Sequence, residues 1–251
     1  MKNLKRLCAL FLTLMLLTSA SLCEGMEAAM DVAVDTPIAT PAPTATPAPT
    51  AIAQAPVAIQ TTAEELPWYL TLVNATHAVP EGWSIEVVSL KRGQSVDARM
   101  YPALQEMFDA CRAEGLLPLA LSSYRTYDQQ KQMLVNKYNK FKNQGYSHED
   151  AQTEALKWAA YPGYSEHQLG LAVDIDSADT SKCSNQQIWD WMLEHCAEYG
   201  FVRRYPPDKV EITGISHEPW HFRYVGVDAA MYMMQNNLCL EEYLLEFYGI
   251  A

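Results

Sequence analysis

Apolar positions along residues 102–249 recur with two periods. In PALQEMFDACRAEG (102–115), Leu104, Met107, Phe108 and Cys111 fall three and four apart before a closing glycine, which predicts a helix with those four buried. LLPLALSS (116–123) is a continuous apolar run and reads as a strand. Thr126, followed three residues later by Gln129, forms a capping box that opens a helix running to about Gly145. SHEDAQTEALKWAA (147–160) predicts another helix, stopped by Pro162-Gly163, and LAVDID (171–176) a short buried strand. SNQQIWDWMLEHCAEYG (184–200) has Ser184 as cap, Gln187 completing the box and Gly200 ending the helix. KVEITGIS (209–216) and HFRYVG (221–226) are rich in β-branched and aromatic residues and read as strands. GVDAAMYMMQ and CLEEYLLEFYG are again helical. Strands and helices do not alternate regularly, so the pattern predicts an α+β fold rather than a wound α/β sheet.

Upstream the pattern changes. Lys2, Lys5 and Arg6 precede an apolar run from Leu7 to Leu17 and then small residues, the order of a secretory signal peptide. The run is too short for an ordinary membrane span. Cleavage after Ala20 fits the small-residue rule; without cleavage, residues 1–25 would stay as an N-terminal anchor. Leu22 before Cys23 departs from the small residue that a lipoprotein signal requires. Residues 26–65 read as a linker. Within it, 31–58 are rich in Pro, Ala and Thr and repeat ATPAPT at 39–44 and 45–50. Such a composition cannot bury a core. At about 3.1 Å per residue it could reach on the order of 85 Å. The expected organisation is a signal peptide or anchor, a spacer and one domain at 66–251. That domain would work outside the cell, in the wall or tethered to the outer face of the membrane.

Charge narrows the partners. The chain carries 18 basic and 30 acidic residues, a net charge of −12. Loss of Lys2, Lys5 and Arg6 with the signal would leave 15 against 30, or −15. An acidic domain argues against nucleic acid, and a monomer is expected. Cys111, Cys183, Cys196 and Cys239 contain no CxxC. Cys111 and Cys196 lie on apolar helix faces and are expected as buried thiols. A Cys183–Cys196 bridge is ruled out, because 13 residues of helix would hold them about 20 Å apart; other pairings stay open.

HEPWH (217–221) matches the H-E-x-x-H pattern, in which two histidines one helical turn apart grip a metal. Pro219 opposes that reading. It lacks an N–H and costs about 3 kcal/mol inside a helix, and the flanks read as strand. His221 then needs partners from elsewhere in the chain. They concentrate in GYSEHQLGLAVDID (163–176), where His167 and Asp174 are seven apart and Gly170 between them permits a tight turn. A His–Asp pair alone is most often structural. With His221 it offers two imidazoles and one carboxylate, leaving a fourth position for water, the pattern of a catalytic zinc site.

Three segments then resemble, in order and spacing, the motifs of VanY-type zinc D-alanyl-D-alanine carboxypeptidases, which are LAS-type metallopeptidases. SSYRTYDQQ (122–130) resembles S-x-Y-R-[ST]-Y-x-x-Q. SEHQLGLAVDID (165–176) resembles S-x-H-x-x-G-x-A-x-D, and HEPWH resembles E-x-W-H. The resemblance covers most of 66–251. It implies a small α+β domain with a central antiparallel sheet flanked by helices, hedgehog/DD-peptidase-like. It implies one zinc ion on His167, Asp174 and His221, with Glu218 as general base and His217 as a bystander. It places Arg125 in the site, where a planar guanidinium suits a terminal carboxylate or the oxyanion of the tetrahedral intermediate. Gln130 and Ser165 are implied as polar contacts to the terminal residue, with Trp220 and Tyr164 shaping the wall. Asp176 shares a strand face with Asp174 and stands behind it.

The implied reaction removes the terminal D-alanine from a peptidoglycan stem peptide. An L,D-carboxypeptidase acting on the tetrapeptide stem uses the same motifs. A non-catalytic cell-wall-binding domain is the reading from another class, opposed by Glu218 because a binder needs no base.

Overall fold

The spacing at 104, 107, 108 and 111 becomes helix α1, Tyr101–Ala113, with all four side chains buried. The structure, a computed structural model, describes residues 66–250, so the expected signal peptide and linker lie outside the described residues. Ahead of α1 stand two short antiparallel strands, β1 (Val87–Ser89) and β2 (Ser95–Asp97). Strand β3 (Pro118–Ser122) follows α1. Helix α2 (Tyr127–Asn143) opens on the expected box: Thr126 Oγ1 accepts from the Gln129 N–H, and the Gln129 side chain accepts from the Thr126 N–H. Helix α3 (His148–Leu156) ends short of the expected residue 160.

Strand β4 is Ala172–Ser177. Helix α4 (Asn185–His195) carries the second box, from Ser184 and Gln187, and gives way to a 3-10 turn at Cys196–Tyr199. Then come β5 (Phe201–Tyr205), the short helix α5 (Val210–Thr213), β6 (Glu218–Tyr224), α6 (Val227–Asn236) and α7 (Leu240–Tyr248). No helix among the described residues is long and apolar enough to cross a membrane.

Strands β3 to β6 form one antiparallel sheet in the order β3-β4-β6-β5. The two central strands, β4 and β6, carry Asp174 and His221. Val173, Ile175, Phe201 and Phe222 pack with Met107 and Cys111 of α1 and with Ile188 and Met192 of α4. A second cluster, including Leu70, Val225, Met233, Leu240 and Leu244, seats α6 and α7. Burying such apolar surface, at roughly 25 cal/mol per Å², fixes the sheet that presents the site. The four domain cysteines are free and buried, and burial pushes the Cys111 and Cys196 thiols up to about 12.

Two expectations need correction. KVEITGIS is not a strand: Pro207 begins a 3-10 turn, Val210–Thr213 is helical, and Gly214, at φ 71°, ends it. Prolines fix φ near the helical value, which outweighs β-branching in so short a run. The strand beside β6 is instead FVRRY (β5). Two adjacent arginines disguise it, and one of them, Arg204, is buried on carboxylate partners. The HEPWH segment is also not merely flanked by strand, since β6 begins at Glu218 and runs through it.

Candidate metal and catalytic site

His167 reaches the site through a 3-10 turn, Glu166–Leu169, that ends on Gly170 at φ 75°. That left-handed φ favours glycine, and a Cβ there would also crowd the Asp97 backbone and displace the tip of Ile85. His167 Nδ1 lies 2.7 Å from the carbonyl oxygen of Ser123. A carbonyl only accepts, so Nδ1 carries the proton and Nε2 keeps its lone pair. That Nε2 lies 3.5 Å from Asp174 Oδ1. Burial, reinforced by the Arg125 charge, pushes His167 down to about 4, so it is neutral at pH 7.

Asp174 and His221 are register partners across β4 and β6. His221 Nδ1 lies 3.1 Å from Asp174 Oδ1. Even so, Oδ1 is buried and has no hydrogen-bond partner among the described residues. One ligand atom from each of His167, Asp174 and His221 lies within 4.8 Å of the other two. Donors about 2.1 Å from a tetrahedral zinc ion would stand about 3.4 Å apart, close to the 3.1 and 3.5 Å found. The donor set and the orphaned oxygen therefore fit a divalent cation. Burial opposes a charge on His221, but Asp174, Glu166 and Glu218 hold it up at about 9. The carboxylates that retain that proton would equally retain a metal.

Glu218 precedes His221 by three residues, which in a regular strand would turn it to the opposite face. The pairing with β5 is irregular: Arg203 faces Phe222, while Tyr205 faces Glu218, so β6 holds two extra residues around Pro219. Bulges re-aim side chains and tolerate proline. The result places Glu218 Oε2 3.5 Å from His221 Nδ1. Burial pushes the Glu218 carboxyl up to about 7, against the opposing pull of His221.

Arg125 donates from Nε to Ser122 Oγ at 3.2 Å and from Nη1 to Gln130 Oε1 at 2.6 Å, while Nη2 lies 3.7 Å from Asp174 Oδ2. Gln130 is fully buried and donates onward to the Ala160 carbonyl at 2.8 Å. It lines the cleft, and its amide orients Arg125. Ser165 is buried beside them and lines the same cleft. These residues enclose a cleft of about 120 Å³ with Trp220 on its wall. Tyr164 instead lines an adjoining cavity of about 390 Å³. His217 turns away, its Nδ1 2.9 Å from the Tyr205 carbonyl oxygen. Asp176 accepts from Trp189 Nε1 at 3.0 Å. Sequence reasoning overlooked Tyr205, whose ring packs on His221, and Glu166, 3.6 Å from His221 Nε2. A glutamate between Ser165 and His167 gives no local sign of burial.

A family profile described as VanY, D-alanyl-D-alanine carboxypeptidase, matches residues 93–227. The D-alanyl-D-alanine carboxypeptidase of Enterococcus faecalis (strain ATCC 700802 / V583) is 46% identical over 181 residues, covering 72% of this chain and 67% of that protein. Two solved VanY structures are each 46% identical with a TM-score of 0.69, covering 71% of this chain and 98% and 99% of theirs. One is VanYB in complex with D-alanine-D-alanine; the other is a mutant vancomycin resistance D,D-pentapeptidase VanY in complex with Zn(II). The LD-carboxypeptidase LdcB is more distant, 34% identical with a TM-score of 0.57, covering 70% of this chain and 85% of that one. Fold and donor set are those of a metallocarboxypeptidase. The chain belongs to the VanY D-alanyl-D-alanine carboxypeptidase family, and its α+β architecture with a central antiparallel sheet is the one the motifs implied.

Proposed function

We propose that this protein is an exported D-alanyl-D-alanine carboxypeptidase that removes the terminal D-alanine from peptidoglycan stem peptides. His167, Asp174 and His221 would hold one zinc ion, and Glu218 would act as general base. The observation that carries this reading is the convergence of three donors on one largely buried point beside the buried Glu218 carboxyl. Zinc, when bound, supplies Lewis acidity that lowers the pKa of water toward about 7 and polarises a peptide carbonyl.

Glu218 takes the proton from the attacking water and returns it to the leaving amine. Burial raises this carboxyl above its ordinary value, which favours its taking up a proton. Arg125, steadied by Ser122 and Gln130, turns its charge toward the substrate's terminal carboxylate or the developing oxyanion. The Ser165 hydroxyl, on the cleft lining, would contact the terminal residue. A cleft of about 120 Å³ suits a small residue such as alanine. The VanY complex with D-alanine-D-alanine supports the D,D substrate, and the Zn(II) complex supports the metal. Export rests on the basic-then-apolar pattern of residues 1–25.

The test offers the zinc-loaded protein a stem pentapeptide and, separately, a tetrapeptide, with products read by mass. Loss of one alanine from the pentapeptide is the expected result. Loss from the tetrapeptide alone would replace this reading with an L,D-carboxypeptidase. No mass change on either, with zinc bound, would leave a wall-binding domain.

A further inference from the structure

The mechanism above makes no use of Glu166, yet this residue is only 2% exposed. Its Oε1 accepts from Arg204 Nε at 2.7 Å and lies 2.9 Å from Arg223 Nη1. Arg204 forks onward to both oxygens of Glu241 on α7, at 2.8 and 2.6 Å. Arg223 Nη2 donates to the carbonyls of Tyr69 and Thr71 at 3.0 and 2.9 Å. Two positive and two negative charges thus balance in the interior. Buried ion pairs of this kind are often no more stabilising than apolar packing of equal volume, so stability alone does not account for the cluster.

The second oxygen, Oε2, faces His221 Nε2 at 3.6 Å. Both atoms are buried, and neither has a hydrogen-bond partner among the described residues. An ionised carboxylate only accepts. It therefore favours the tautomer of His221 that carries its proton on Nε2, which frees the Nδ1 lone pair on the side facing Asp174. His167 is set in the opposite sense, because the Ser123 carbonyl holds the proton on Nδ1 and frees Nε2.

We propose that Glu166 is a positioning residue that fixes the tautomer and ring orientation of His221 for metal binding. Arg204 and Arg223 hold its carboxylate in place. This inference rests on the zinc reading of the proposed function.

The test has two parts, both on the full chain. In the zinc-loaded wild type, long-range 15N–1H NMR should find the His221 proton on Nε2 and the His167 proton on Nδ1. A His221 proton on Nδ1 would overturn the proposal without recourse to any variant. Zinc affinity is then measured by competition with a chromophoric chelator. In Glu166→Gln the amide oxygen can stay with the arginines, which leaves an N–H toward His221 and selects the wrong tautomer. Zinc binding should weaken about 10–100-fold. Glu241→Gln cuts the network farther from the ion and should lower Tm while leaving zinc affinity near wild type. Wild-type affinity in Glu166→Gln, or an equal loss in both variants, would overturn the positioning role. Absence of zinc binding by the wild type would overturn the functional reading, and this inference with it.

Discussion

His221 and Asp174 sit directly opposite one another on the two central strands, with Nδ1 of the first 3.1 Å from Oδ1 of the second. The sheet's own register therefore supplies two of the three candidate metal donors, and a glycine-terminated turn supplies the third. Asp174→Asn keeps the shape and removes the charge. Zinc affinity should fall by more than the roughly 10–100-fold that an outer hydrogen-bond partner costs, as read by chelator competition. Unchanged affinity would place the metal elsewhere.

Glu218 carries a cost in the metal-free protein. Burial holds its carboxyl at about 7, above the ordinary 4.5, so the folded state favours the protonated form. That contribution to stability is fully present below about pH 4.5 and is lost as pH rises through about 7. Glu218→Gln mimics the protonated form. It should raise the Tm of metal-free protein at pH 8 by a few degrees, about 1–3 kcal/mol, and leave it unchanged at pH 4. A Tm at pH 8 no higher than wild type would contradict the buried placement.

Gly170 links fold to site. Alanine there must adopt φ 75° and crowd its Cβ against the Asp97 backbone. Gly170→Ala should cost about 2 kcal/mol or more in denaturant unfolding and weaken zinc binding by displacing His167. An undisturbed unfolding midpoint would show that the turn relaxes freely.

Arg125 and Gln130 form a donor and its support. Arg125→Ala should lower kcat/KM about 10²–10³-fold, and Arg125→Lys should recover little because a point charge cannot replace the fork. Gln130→Ala should cost less, roughly tenfold for one lost hydrogen bond to a charged group, with zinc affinity unchanged. Steady-state kinetics on the pentapeptide separates these outcomes.

The three candidate donors could be picked out of the sequence because they fall in short motifs whose turn and strand signals are local. Pro219 within H-E-x-x-H, together with the strand-like flanks, weighs against a helix, and the structure turns the same proline into a strand irregularity that brings Glu218 to His221's side. The helices followed from capping boxes at Thr126 and Ser184. What escaped depended on long-range pairing. Strand β5 was hidden because Arg204 looks like a surface residue until Glu166 and Glu241 arrive from elsewhere in the chain. Glu166 escaped for the same reason. Strands β1 and β2, three residues each, are too short for alternation to register.

The central claim is tested most directly by Glu218→Gln assayed for zinc content and for pentapeptide turnover in the same preparation. The variant should keep one zinc ion per chain and lose about 10²–10⁴-fold in kcat. Full turnover by a zinc-loaded Glu218→Gln would contradict the account, because the proton would then move through another group.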